Sequence, residues 1–293
     1  MTGFISLNKP SGVSSFGAIS PLRKIFNQKK VGHTGTLDPM ASGVLPVALG
    51  GASKFIELLP CSDKAYIAKF RLGLTSDTLD ITGKILSQNS VNATRADIES
   101  ALQLFKGEIK QVPPMYSAIS KNGVRLYELA RQGIEIEREA RQVTVYELDL
   151  LEELPNDEYS LSISCSSGTY VRSIIDDLGR SLGCGALMTE LCRTRANGFT
   201  LENSHSLDEV RQAVENGCAN EVLTSVEAVF DGLPSVTVSE AQARRFANGG
   251  SLDLDRVRGV VEGRLRVYGS RGEFLGIGET TQAQLTIKKL FIS

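Results

Sequence analysis

The segment of residues 31–39, with the sequence VGHTGTLDP, constrains this chain more than any other, because its backbone must bend tightly beside a carboxylate. Gly32 and Gly35 permit conformations that other residues avoid, and Pro39 biases the residue before it toward an extended conformation. Such a loop can lie close against a ligand and present Asp38 to it. The same residues equally fit a structural role, in which Asp38 caps a helix beginning at Pro39.

The size and composition of the chain indicate an ordinary globular protein. Its 293 residues, 41% of them hydrophobic, predict one large and one small domain. The N-terminus lacks the features of a signal peptide and no stretch has membrane-spanning length, so we expect a cytoplasmic protein without a membrane partner. Five cysteines form no CxxC pair and only two histidines are present, so we expect reduced thiols and no metal site.

The net charge of −2 conceals an uneven distribution. Residues 1–60 carry six Lys and Arg against two acids, whereas residues 146–230 carry five against fifteen. The excess of base near the N-terminus suits a polyanionic partner. Near the C-terminus, arginines alternate as they would along a strand, which predicts a phosphate-contacting strand pair or, as an alternative, a solvated face. These arginines are Arg256, Arg258, Arg264 and Arg266.

Hydrophobic periodicity and turn residues predict mixed helices and strands. We expect strands at residues 4–7, 64–72, 142–151, 159–165 and 185–195, and helices at 14–26, 94–105, 171–182 and 206–215. A domain boundary near Pro234 precedes a helix at 240–247 and strands near 259–268, 273–279 and 284–291. Thr169 is the expected cap of the helix at 171–182.

Three further features each allow a functional and a structural interpretation. Arg172 lies four residues before Asp176 on a predicted helix, where an ordinary ion pair is worth about 0.2–0.5 kcal/mol. Tyr66, at the start of a strand, also fits a core position. Residues 110–131 carry four basic residues and one acid, interleaved with two tyrosines, which fits a nucleic-acid clamp or a plain surface hairpin.

Five motifs in one order resemble those of bacterial tRNA pseudouridine-55 synthases of the TruB type, over essentially the full chain. They are KPSGVSS (9–15), GHTGTLDP (32–39), PPMYSA (113–118), RLYELAR (125–131) and SGTYVR (167–172). The resemblance implies an α+β fold, with a mixed, largely antiparallel sheet flanked by helices and a small β-rich, PUA-like C-terminal domain. It implies a catalytic domain over 1–231 with a thumb insertion at about 110–140, and an RNA-binding domain over 232–293.

The same resemblance implies which residues form the site. Asp38 falls on the catalytic aspartate of the family, Arg172 on the arginine that pairs with it, and Tyr66 on a tyrosine that contacts the substrate. The other substrate-binding positions fall on His33, Tyr170, Leu191 and Lys9, of which Lys9 supports the loop.

The implied reaction converts a T-loop uridine of tRNA to pseudouridine. Nothing is oxidised, added or lost, so we expect no cofactor. One carboxylate can support the reaction by attacking the sugar C1′, by adding to C6 of the base or by removing a 2′ proton, and the sequence leaves these routes open. The base must be flipped out, with Tyr66 stacking on it and His33 filling the gap. We expect a monomer that binds the tRNA T-arm without a guide RNA.

Three other classes of protein remain as alternatives. An RNA-binding protein without turnover would have no use for Asp38 and Arg172. A nucleotidyltransferase with a histidine–glycine loop would need a second histidine beside His33. A guide-RNA-dependent pseudouridine synthase usually carries extra basic extensions, whereas this chain ends at Ser293 without a charged tail.

Overall fold

The structure is a computed structural model that describes residues 1–121 and 123–291. In chain order the strands are β1 (Gly3–Lys9), β2 (Val31–His33), β3 (Ser42–Leu49), β4 (Lys64–Leu72), β5 (Leu74–Ser76), β6 (Ile85–Gln88), β7 (Gly107–Gln111), β8 (Ser120–Lys121), β9 (Val124–Arg125), β10 (Arg141–Leu154), β11 (Glu158–Cys165), β12 (Ala186–Ala196), β13 (Phe199–Thr200), β14 (Ser235–Thr237), β15 (Leu252–Asp253), β16 (Arg264–Tyr268), β17 (Phe274–Thr280) and β18 (Gln284–Leu290).

The helices are shorter and lie between these strands. The α-helices are α1 (Ser15–Ile19), α2 (Leu22–Ile25), α3 (Arg95–Leu102), α4 (Leu126–Arg131), α5 (Val171–Ser181), α6 (Leu207–Glu215), α7 (Val226–Val229) and α8 (Glu240–Ala247). Short 3-10 helices span Gly50–Leu58, Gln103–Phe105, Ala219–Glu221 and Leu254–Arg256. None of the helices in the described residues is both long enough and apolar enough to cross a membrane.

Nine strands of the described chain form one mixed sheet. Its main path runs β1-β3-β12-β4-β11-β10-β7, with β2 added to β3 and β13 added to β12. Strand β12 is parallel to β3, whereas the other neighbours are antiparallel. The predicted mixed, largely antiparallel sheet is therefore confirmed.

Strand β4 lies in the middle of this sheet and shows how the sequence positions the core. Tyr66, Phe70 and Leu72 are buried, while Ile67 between them is 43% exposed, as expected when successive side chains point to opposite faces. Helix α5 packs against β12 and β4. Its apolar residues Ile174, Ile175 and Leu178 join the same core. The start of α5 follows the end of β11, which pairs with the start of β4.

The C-terminal segment has its own small sheet, with the order β14-β16-β17-β18-β15. Helix α8 contributes Phe246 to the core of this unit. A further apolar cluster joins the two sheets, since Phe4 of β1 and Ile277 of β17 belong to it together with Phe55 and Phe230. The C-terminal unit is thus held against the large sheet by buried aromatic contacts. The division into residues 1–231 and 232–293 stays a prediction.

The structure corrects four local expectations. No helix begins at Pro39: the chain makes a turn, closed by a hydrogen bond of 3.0 Å from the Ala41 amide to the Asp38 carbonyl. The helix expected at 14–26 is divided into α1 and α2 at Pro21. Helix α5 begins after Tyr170, and the Thr169 hydroxyl donates to the Ser166 carbonyl rather than capping the helix. Finally, Arg256 and Arg258 lie outside any strand.

Candidate active site

A cleft of about 310 Å³ opens where the loop before β3, the start of β4, the start of α5 and the loop between β7 and β8 meet. It gathers five of the predicted site residues. Its lining comprises Thr36, Leu37, Asp38, Lys64, Tyr66, Ser117, Ala118, Ile119, Gly168, Thr169, Tyr170, Val171, Arg172 and Leu191. In the part of the chain that the structure describes, no group of three or more His, Cys, Asp and Glu side chains is placed to share a metal ion.

The central pair of the cleft is Asp38 with Arg172. The Nη2 atom of Arg172 lies 2.8 Å from Oδ2 of Asp38, and the arginine is 4% exposed against 37% for the aspartate. The structure therefore joins the two residues that the resemblance predicted as partners. The alternative helical pair is wrong, because Asp176 instead binds Arg180 at 2.7 Å.

The guanidinium of Arg172 is fixed by backbone acceptors as well as by the aspartate. Its Nη1 donates to the Thr78 carbonyl and its Nη2 to the Tyr116 carbonyl in the loop between β7 and β8, both at 2.8 Å. A planar group held on three sides has little freedom to turn. The exposed edge of Asp38 is consequently aimed into the cleft.

A second carboxylate lies behind Arg172 and was not predicted. Asp80 is 5% exposed, and its Oδ2 lies 3.8 Å from Nη1 of Arg172. Its Oδ1 accepts hydrogen bonds from the Thr78 hydroxyl and from the amide and hydroxyl of Thr82. The sequence does show polar residues in alternation here, at Thr78, Asp80 and Thr82. This alternation alone does not show that the acid is buried.

The loop that carries Asp38 is held at several points along its backbone. The Ser15 hydroxyl accepts from the Leu37 amide at 2.8 Å and donates to the Leu37 carbonyl at 2.9 Å. The Gly12 amide donates to the Pro39 carbonyl at 2.8 Å. The KPSGVSS and GHTGTLDP motifs thus form one structural unit, although their first residues are 23 positions apart in the sequence.

Lys9 lies beneath this unit and outside the cleft lining. It is fully buried, and its ammonium donates to the carbonyls of Pro10, Val13 and Pro39 at 2.8, 2.6 and 3.3 Å. Burial lowers the pKa of Lys9 to about 8, a shift that Asp38 opposes and Arg193 reinforces. Lys9 thus contacts the backbone of the loop, and a part for Lys9 in substrate binding stays a prediction.

The lowered pKa of Lys9 makes a testable prediction about stability. Between about pH 8 and 10.5 the unfolded chain binds this proton more readily than the folded one, so this group makes the free energy of unfolding rise with pH. The cost of the buried charge is present below pH 8 and is relieved above it. We expect the unfolding free energy of the wild type, measured in urea, to increase relative to that of Lys9→Met between neutral and alkaline pH. A constant difference would contradict this ionisation.

Arg193 on β12 is the largest fully buried side chain and was missed by the sequence analysis. Its Nε donates to the Val44 carbonyl at 2.7 Å and its Nη2 to the Gly35 carbonyl at 3.2 Å. Burial raises the pKa of Tyr66 to about 12, while Arg193 acts in the opposite direction through charge and a hydrogen bond. Arg193 thus links the loop before Asp38 to the tyrosine of the cleft. In the sequence, its position within a predicted strand did not indicate this role.

Tyr170 and Leu191 line the cleft, and their contact with a substrate stays a prediction. Gln111 at the end of β7 fixes Tyr170 with two backbone hydrogen bonds, one to its carbonyl at 3.0 Å and one from its amide at 2.8 Å. Burial also raises the pKa of the Tyr170 phenol. Leu191 is 8% exposed and supplies an apolar wall.

His33, like Lys9, is a predicted site residue that lies outside the cleft lining. It ends β2 and pairs with Val47 of β3. Burial lowers its pKa, with a further contribution from Arg193, which favours the neutral imidazole. Its Nδ1 is buried and has no hydrogen-bond partner among residues 1–121 and 123–291. Contact of His33 with RNA stays a prediction.

A mixed sheet with an aspartate–arginine pair in an open cleft and a small β-rich C-terminal unit is the arrangement expected of a pseudouridine synthase. Models described as TruB family pseudouridylate synthase (N-terminal domain), tRNA pseudouridylate synthase B C-terminal domain, and pseudouridine synthase II TruB, C-terminal match residues 23–171, 172–230 and 234–291. The chain belongs to the TruB family of pseudouridylate synthases.

Individual relatives are similar in sequence to this chain over nearly its whole length. A protein named tRNA pseudouridine synthase B from Clostridium kluyveri is 40% identical over 100% of both chains. One of the same name from Thiobacillus denitrificans is 43% identical over 98% of this chain and 95% of the relative. Among solved structures, that of a Cbf5-Nop10-Gar1 complex has a TM-score of 0.75 at 26% identity, covering 99% of this chain and 85% of the other.

Proposed function

We propose that this protein converts the T-loop uridine of tRNA, at position 55, to pseudouridine, with Asp38 as the catalytic carboxylate and without a cofactor. The observation that carries the proposal is the Asp38–Arg172 pair at the edge of a cleft formed by the family's motifs. The tRNA names of relatives at about 40% identity support the choice of substrate.

The chemistry that we propose needs one carboxylate and a site that limits the access of water to the detached base. The C1′–N1 bond of the uridine breaks, the uracil turns, and a C1′–C5 bond forms. The proton on C5 leaves and N1 gains one, so atoms and electrons balance within the nucleotide. Asp38 acts on C1′, on C6 of the base or on the 2′ proton, and these routes remain alternatives. Arg172 aims the carboxylate, and Tyr170 and Leu191 limit the access of water to the detached base.

The target base must leave the folded T-loop to reach Asp38. Flipping it out costs a few kcal/mol. Stacking on Tyr66 can offset about 1–3 kcal/mol of this cost. We propose that His33, on the strand that leads into the catalytic loop, occupies the place that the base vacates. We further propose that the protein works in the cytoplasm, as a monomer and without a guide RNA.

The direct test is to incubate the purified protein with an unmodified tRNA transcript, without cofactor or other RNA, and to map pseudouridine by position. Modification of the T-loop uridine alone is the expected result. Binding without modification would support the RNA-binding alternative. Modification only after a second RNA is added would instead support a guide-dependent pseudouridine synthase.

The C-terminal unit offers a separate prediction about affinity. Arg264 is paired with Glu279 at 3.4 Å, whereas Arg256 and Arg258 are exposed in the connection before β16. We propose that the exposed pair contacts phosphates. Replacing both with glutamine should weaken tRNA binding and lower the slope of log Kd against log salt by about 1.4–1.8. The measurement is a salt series of binding titrations.

Arg264→Gln serves as the matched control, because the partner of this arginine within the domain already compensates its charge. An unchanged slope in the double variant would assign the arginines to a solvated face. Truncation after residue 231 is a poorer test, since it would expose the buried Phe55 and Phe230.

A further inference from the structure

Lys64 is a cleft residue that the proposed mechanism does not use. It is the first residue of β4 and stands two residues before Tyr66, so the two side chains share the buried face of the strand. Its ammonium lies over Gly35 in the catalytic loop, where a Cβ on that glycine would come within 3.4 Å of Nζ. Lys64 therefore faces the cleft across the loop that carries Asp38.

The other cations around the loop already have their donors engaged. Lys9 donates to three carbonyls. Arg193 donates to the carbonyls of Val44 and Gly35. Arg172 binds Asp38 and two carbonyls. By contrast, the structure of residues 1–121 and 123–291 shows no hydrogen bond or ion pair from the Lys64 ammonium.

Among residues 1–121 and 123–291, no carboxylate forms an ion pair with Lys64. Its ionisable neighbours are Arg193 and the thiol of Cys165. Burial raises the pKa of that thiol to about 11, so it is neutral near pH 7. The nearby Asp63 carboxylate instead accepts a hydrogen bond from Tyr146 at 3.2 Å. The ammonium faces the cleft and is bonded to no protein acceptor in the described residues, so its donors are available to an anion that enters the cleft.

We propose that Lys64 binds a backbone phosphate of the RNA strand next to the flipped uridine. The inference rests on the proposed function, because it assumes that this strand enters the cleft. A phosphodiester carries the full negative charge that the site lacks, whereas uracil is neutral until its bond to the sugar breaks. A compact ammonium also suits a phosphate whose position along the strand is set by other contacts.

Two neighbouring residues shape the position of this ammonium. Gly35 lies directly beside it, since a Cβ at that position would be in van der Waals contact with Nζ at 3.4 Å. Arg193 repels Lys64 from below while holding the Gly35 carbonyl, so the ammonium is directed away from the protein interior. Burial and Arg193 both lower the pKa of Lys64, and an adjacent phosphate would reverse that effect.

The test measures binding of a T-arm RNA across a salt series, in an Asp38→Asn background so that no turnover occurs. Lys64→Met should raise Kd about tenfold at low salt, the loss expected for one charge-assisted hydrogen bond. It should also lower the salt slope by about 0.7, while Lys64→Arg keeps the slope. Lys69→Met is the matched control, because Lys69 lies on the opposite face of the same strand and pairs with Glu190 at 2.9 Å.

A second arm replaces one phosphate at a time around the target uridine with a neutral methylphosphonate. One position should weaken binding by the background protein and have no further effect on Lys64→Met. An unchanged salt slope in Lys64→Met, or equal sensitivity of both proteins at every position, would overturn the proposal. Failure of the proposed function is a separate result, since it would appear as absence of pseudouridine with wild-type protein and intact tRNA.

Discussion

Asp38→Asn should lower the single-turnover rate of pseudouridine formation by a factor of about 10³ or more, while the Kd for tRNA changes little. The expected size is that of removing a group that acts directly on the reacting atoms. Asparagine keeps the shape of the side chain and one oxygen that can accept from Arg172, so the loop should remain in place. What is lost is the negative charge and the ability to form or break a bond to the nucleotide.

The control for this prediction is Asp63→Asn. Asp63 immediately precedes β4 but lies outside the lining of the cleft, and its carboxylate accepts from Tyr146. The substitution changes the net charge by the same amount near the same end of the sheet. We expect a near-normal rate from it. A comparable loss in both variants would indicate a general electrostatic effect, and a near-normal rate in Asp38→Asn would remove Asp38 from the proposed mechanism.

Local patterns in the sequence predicted the elements well where one face of an element is buried. The alternation in KAYIAKFRL gave β4 at residues 64–72, which are its bounds in the structure. The helix predicted at 240–247 is α8 with the same bounds, and Ser239 caps it. In both cases the signal that defines the element lies within it, as side-chain periodicity or as a capping residue.

The strand expected for the C-terminal arginines was wrong for an equally local reason. Arg256 and Arg258 show the spacing of a strand, but Gly259 and Gly263 adopt φ values of 72° and 102°. Two left-handed residues interrupt any strand that would continue from them to β16. Alternating charge is therefore compatible with an irregular connection, and only Arg264 and Arg266 of the four lie on a strand.

The partners within the site could not be found from spacing alone. Sequence proximity favoured Asp176 as the ion-pair partner of Arg172, because residues four apart on a helix are neighbours. The structure instead brings in Asp38, whose loop precedes β3, through the parallel pairing of β3 with β12. The family motifs had indicated this partner. Arg193 and Asp80 lay outside the residues carried over from the family, and only the arrangement of the sheet shows that they are buried beside the site.

Arg172→Lys should reduce the single-turnover rate by a factor on the order of 10–100, with little change in the Kd for tRNA. The guanidinium now binds the Asp38 carboxylate and the carbonyls of Thr78 and Tyr116 at once. An ammonium is a point charge on a flexible chain and cannot reproduce this planar set of contacts. A shift of about 1 Å in a reacting group is enough to cost about 100-fold in rate. The lysine keeps the positive charge, so the loss of rate would result from the changed geometry of these contacts.

The same substitution should also lower stability, because at least one buried carbonyl loses its donor, at a cost of about 1–3 kcal/mol. Urea unfolding measures this loss beside the rate. Arg180→Lys is the control: it lies on the same helix, is 71% exposed and pairs with Asp176, so both rate and stability should stay near wild type. If Arg172→Lys were stable and fully active, the planar geometry of the guanidinium would be dispensable. Asp38 would then be positioned by its loop alone. If it lost stability but kept its rate, Arg172 would serve the fold rather than the proposed chemistry.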